Sequence, residues 1–119
     1  MLIVVIILGI LAGIALPRYI QSLEKSRDSE AYVHLGLIRT AELEYYADFN
    51  TFTNNLDVLN IDNPNHLPPP PIGTRLFAYS IQPAPPMDVF TATALRQAGT
   101  SIHIVTMNNN ARTTRTVVP

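Results

Sequence analysis

The first sixteen residues, MLIVVIILGILAGIAL, carry no charge; fourteen are apolar and the other two are Gly9 and Gly13. All seventeen charged side chains fall between Arg18 and Arg115. This run constrains everything else, because a helix that is apolar on every side must be surrounded on every side. Sixteen residues make a helix of roughly 24 Å, against a bilayer hydrocarbon core of roughly 30 Å. A few tenths of a kcal/mol per apolar residue sum to about 5 kcal/mol in favour of membrane insertion.

Three readings compete for the run. A cleaved signal peptide has a basic stretch before its apolar core and a small-residue site after it. Here nothing basic precedes the run, and Pro17-Arg18-Tyr19 follows it. A buried core helix needs a protein around it, and the remainder of a 119-residue chain is too small to wrap one. The reading that fits is a helix that sits in lipid and also packs against copies of itself. Gly9 and Gly13 form a G-x-x-x-G pair, which permits close helix approach but is weak evidence alone, since Gly is common in membrane helices.

Pro17 has no N–H to donate, and its ring presses on the carbonyl of Gly13, so a kink or local melting is expected between Gly9 and Pro17. Beyond it, residues 18–49 contain no Pro and one Gly, and read as the continuation of the helix. Ala31, Leu35, Ile38, Ala41, Tyr45 and Phe49 follow steps of three and four, giving one apolar stripe. Glu24, Lys25, Arg27, Asp28 and Glu30 crowd the first polar turns, with Arg18 just ahead of them. The three-residue spacing of Glu24–Arg27, Lys25–Asp28 and Arg27–Glu30 fits a solvated helix face, each pair adding about 0.2–0.5 kcal/mol. It equally fits charges that set register between neighbouring copies.

Residues 50–74 hold six Asn and five Pro, a connector composition, with Phe52, Leu56, Val58, Leu59 and Ile61 available to pin it to a core. Pro68 to Pro71 should form an extended polyproline spacer. From residue 75 the period becomes two. Phe77, Tyr79 and Ile81 share one face of a first strand ending at Pro83, and a Pro-rich turn over residues 83–86 follows. A second strand at about 88–97 turns Phe90, Ala92 and Ala94 one way. Gly99 supplies a turn residue free to take positive φ. A third strand, Ser101 to Met107, alternates Ile102 and Ile104 with His103 and Val105. Asn108 to Asn110 form a turn that tolerates left-handed geometry, and a fourth strand covers about 111–118. The expected fold is α+β, a long N-terminal helix on a four-stranded antiparallel sheet. Its parts are an apolar helix at 1–17, an amphipathic half at 18–49, a connector at 50–74 and a sheet head at 75–119.

No catalytic constellation is visible. With eight Lys+Arg against nine Asp+Glu, the net charge of −1 gives no general attraction to nucleic acid. Cysteine is absent, which excludes disulfides and thiolate chemistry. His34, His66 and His103 lie on different elements, and Asp57, Asp62 and Asp88 match no calcium-loop pattern. There is no phosphate-binding Gly-rich loop and no G-x-S-x-G. Tyr19, Tyr32, Tyr45, Tyr46 and Phe49 suggest an electron path less well than they suggest core packing. No cofactor or metal is expected.

The segment LIVVIILGILAGIALPRYI resembles the N-terminus of bacterial type IV pilins and type II secretion pseudopilins. The likeness lies in the uncharged run, the mid-run Gly, the Ile/Leu-Ala repeats, Pro17 and the aromatic Tyr19. TAELEYYADFNTFT resembles the end of the pilin long helix and the loop that follows. The resemblance implies that Leu2, Ile3, Val4, Val5, Ile6, Ile7, Leu8, Ile10, Leu11, Ile14 and Leu16 pack the core of a filament. Gly9, Gly13 and Pro17 would mark the stretch that melts on assembly. It further implies an inner-membrane subunit awaiting assembly, processed by a prepilin peptidase and drawn from lipid by an assembly platform with an external ATPase. Identical subunits would then form a helical homopolymer at the cell surface. Family members begin with an N-methylated aromatic residue followed by a glutamate, so roughly five further residues are expected upstream of Met1, which would also bring the helix to membrane length. Many pilins also close a C-terminal loop with a disulfide, which this chain cannot form. One alternative is a type II secretion pseudopilin, such as a minor pseudopilin or secretion-system tip that binds a partner instead of polymerising extensively; the short apolar pattern of the third strand and the lack of an acidic calcium-type loop count against the major subunit of that system. A monomeric, membrane-anchored periplasmic binding module is the remaining alternative.

Overall fold

The computed structural model describes residues 1–67, 76–84 and 89–119. One helix, α1, runs from Leu2 to Phe49 and is followed by two 3-10 turns, η1 (Leu56–Val58) and η2 (Pro64–His66). Four strands complete the chain: β1 (Ala78–Ala84), β2 (Val89–Ala98), β3 (Ser101–Asn108) and β4 (Thr113–Val118). They pair antiparallel in the order β1-β2-β3-β4. The α+β class and the meander expected from the sequence are what the chain adopts. The expectations for Pro68–Pro71, the turn through Pro85 and Pro86, and Asp88 lie outside the described residues. The chain divides into two compact units, residues 1–30 and residues 31–119.

In the first unit the helix runs through Gly9, Gly13 and Pro17 without interruption. The local melting expected there is absent in the single chain. Pro17 forfeits one helical hydrogen bond, while the residues on either side of it retain their own.

In the second unit, Ala31, Leu35, Ile38 and Ala41 of α1 are buried against one face of the sheet. The register sets that face in ranks. Tyr79, Ala94 and Val105 stand side by side, and so do Ile81, Ala92 and Met107. Phe77, Phe90, Ala92, Ala94 and Val105 are almost wholly buried. The small Ala92 and Ala94 at the centre of β2 share the buried core with Ala31 and Ala41 of α1. On β3 the core side takes His103, Val105 and Met107, leaving Ile102 and Ile104 half-buried on the opposite face.

The stripe on α1 departs from the expected one at its end. Phe49 keeps the spacing but is 63% exposed, its ring tilted against Tyr45 at 4.5 Å. The helix stops at Asn50, which takes a left-handed φ of 55° and donates its N–H to the Tyr46 carbonyl at 2.8 Å. The chain then doubles back, and Phe52 fills the core instead. Its ring centroid lies 4.6 Å from Tyr46 and 4.8 Å from Phe90. Leu56 and Leu59 pin the connector as expected, whereas Val58 is exposed. Gly99 takes φ +63° in the β2–β3 turn. In the β3–β4 turn the left-handed residue is Ala111, at φ 61°. Asn108 serves there as an acceptor, its Oδ1 receiving the N–H groups of Asn110 and Arg112.

The two margins of the sheet differ. Asn65, in η2, lies beside β1, where its side-chain amide donates to the Tyr79 carbonyl at 2.7 Å and its Oδ1 accepts the Tyr79 N–H at 2.9 Å. One side chain thus makes the pair of bonds a further strand would make there. Along β4 every residue is exposed.

Candidate functional site

The apolar segment is the feature with the largest unmet physical requirement. Among the described residues one helix, α1, is long and apolar enough to cross a membrane, and none of its most apolar window is buried. Leu2 to Leu8, Ile10, Leu11, Ile14 and Leu16 are all more than half exposed. Soluble monomers rarely expose contiguous apolar surface beyond a few hundred Å². At about 25 cal/mol per Å², covering this surface with lipid or another apolar helix is strongly favourable.

The surface is not uniform. A Cβ built on Gly9 or Gly13 would meet nothing within 4 Å, so the G-x-x-x-G side presents bare backbone to any helix that approaches. A shallow apolar hollow lies beside Ala12, Ala15, Leu16 and Tyr19. Exposed apolar side chains also continue past Arg18, at Tyr19, Ile20 and Leu23. The composition break at Arg18 hid this extension, although the steps from Leu16 to Tyr19 and Ile20 and on to Leu23 carry it.

The candidate inter-subunit charges separate into different environments. Arg27 donates to Glu24 Oε1 at 2.9 Å along the helix, which directs it away from the Glu30 pairing considered from spacing. Arg18 and Lys25 are exposed and Glu30 is half-buried. Asp28 is 3% exposed, which corrects its assignment to the charged surface. Asp28 precedes Ala31 by three residues and Leu35 by seven, so it shares their side of α1.

Among its described residues the head holds isolated polar features and no convergent reactive group. His66 Nε2 lies 3.0 Å from Asp57 Oδ1, an exposed contact that Asn63 supports by donating to the same oxygen. His34 packs its ring against Tyr79 at 5.3 Å, and His103 is buried on β3. Among the described residues no group of three or more His, Cys, Asp or Glu is placed to hold a metal ion. Arg96 stacks over the Phe77 ring at 5.7 Å, and Arg39 donates to the Asn109 carbonyl at 2.8 Å.

One residue escaped the sequence reading. Glu42 lies four residues after Ile38, in the middle of the apolar stripe, and is fully buried. Its Oε2 accepts the Thr53 N–H at 3.1 Å. Burial pushes its carboxyl up from 4.5 to about 7, while the Thr53 hydrogen bond pulls it partly back. The only sequence signal was its spacing from Leu35 and Ile38, which a search for apolar residues passes over.

Compared with protein-family models, characterised proteins and solved structures, the chain matches none.

Proposed function

We propose that this chain is the structural subunit of a type IV pilus, polymerising through its apolar N-terminal helix. The observation that carries the reading is the helical segment from Leu2 to Leu16, whose large apolar side chains are all exposed. Lipid of the inner membrane covers that surface before assembly, and identical copies cover it afterwards. The exchange keeps apolar surface out of water in both states, so its direction must be supplied by an assembly platform and an external ATPase. Contacts between copies are heterologous and non-closing, which propagates a helical fibre carried to the cell surface. A prepilin peptidase would release the subunit for assembly. The bare backbone at Gly9 and Gly13 supports close packing between neighbouring helices.

The absence of cysteine makes the test clean. Single-cysteine variants such as Ile6→Cys and Leu11→Cys, oxidised in sheared surface material and followed by electron microscopy, should give thin fibres and cross-linked multimers through the rod. Short assemblies confined to the envelope would instead point to a type II secretion pseudopilin. Membrane-bound monomer alone would point to an anchored binding module.

A further inference from the structure

Glu42 is a buried acid in a place where an apolar side chain would serve packing better. Its Oε1 has no hydrogen-bond partner among the described residues, and its Oε2 holds only the Thr53 N–H. That bond begins a short series along the connector. Thr53 Oγ1 accepts the Asn55 N–H, and Asn55 Oδ1 in turn accepts the Asp57 N–H at the start of η1. The segment from Thr51 to Leu59 has no strand ladder, so Glu42 and the buried Phe52, Leu56 and Leu59 hold it to the core.

Among the described residues no cation pairs with an ionised Glu42. On α1 the nearby ionisable side chains are Arg39, Tyr45 and Tyr46. The Arg39 Nε is donated to the Asn109 carbonyl, and Tyr46 stacks on Phe52. Residues 50–56 carry no ionisable group. The core-facing residues at this end of the strands are Ile81, Phe90, Ala92 and Met107. Arg96 and His103 occupy the same sheet face four residues along the strands. Glu44, Asp48 and Asp57 are exposed.

We propose that Glu42 is a pH-operated fastener for the segment Thr51 to Leu59, holding it down when neutral and releasing it when ionised. A buried carboxylate without a cation is costly, and the least costly route to water is to lift the element held by the fewest backbone bonds. The sign follows from linkage. In the lifted form the carboxyl meets water and returns to its ordinary value of 4.5, whereas in the closed form it sits at about 7. Between these values the closed form binds the proton more tightly, so rising pH favours lifting. From pH 5 to pH 8 the lifting equilibrium should grow by about tenfold or more. Release would expose the Phe52 ring and its partners.

The full chain, isotope-labelled in detergent micelles, tests this by two readings. The Glu42 carboxyl carbon, followed by NMR, should titrate near pH 7. Over the same range, amide protection at Thr53 to Leu59 should fall by about tenfold or more after correction for base-catalysed exchange, while β2 and β3 keep theirs. Glu42→Gln, which preserves the acceptor for Thr53, should make the connector's protection independent of pH. An ordinary carboxylate midpoint, a raised midpoint without loss of protection, or unchanged pH dependence in Glu42→Gln each overturns the proposal. The wild-type titration decides the matter even if that variant does not fold.

Discussion

Residues 1–30 and residues 31–119 are built on opposite principles. The head satisfies itself: Ile38 and Leu35 meet Phe90 and Val105, the connector is pinned by Phe52, and one sheet margin is occupied by Asn65. The apolar run of the N-terminal unit satisfies only its backbone. Its helix closes its own hydrogen bonds, yet its apolar side chains from Leu2 to Leu16 are left exposed. Folding therefore finishes the head, while the other half is finished only by a surrounding phase. The same hydrophobic effect drives both, acting within the chain in one and outside it in the other.

Mutations should separate the two halves. Phe90→Ala, at a fully buried site, should cost the head about 3–5 kcal/mol, read by thermal or urea unfolding, without changing how the chain partitions into membranes. Ile7→Arg should do the reverse. A cation near the middle of the apolar run costs about 2.5–3.5 kcal/mol, more than half of the roughly 5 kcal/mol that favours insertion, so membrane partitioning should weaken markedly while the head melts as before. Asn65→Ala removes both bonds to Tyr79 and should cost about 1–3 kcal/mol, with faster amide exchange at Tyr79 as its local signature. Arg27→Ala breaks only a surface pair with Glu24 and should change head stability by less than about 0.5 kcal/mol. A larger fall in fibre yield for that variant would show that Arg27 meets another copy.

The sequence announced the apolar half because composition alone defines it, and it announced the strands because Phe77, Tyr79 and Ile81 alternate with small or polar residues. Gly99 was legible for a steric reason, since a positive φ favours a residue without Cβ. The failures share a cause. Asp28 and Glu42 occupy buried positions on the helix, but polar side chains are discounted when an apolar stripe is traced. Phe49 was placed in the core by spacing, yet the turn at Asn50 brings Phe52 there instead, a competition that only the folded connector decides. Asn65 reads as a loop residue and becomes a surrogate strand because η2 brings it beside β1, fourteen residues away. The uninterrupted helix at Pro17 shows that a lone proline can be carried by its neighbours.

The guarded margin at Asn65 has a geometric corollary. Among the described residues Asn65 takes both main-chain bonds at Tyr79, whereas β4 forms an outer seam of the sheet along which every residue is exposed. Two heads joined along that seam would exhaust it, so edge-to-edge addition closes at a pair.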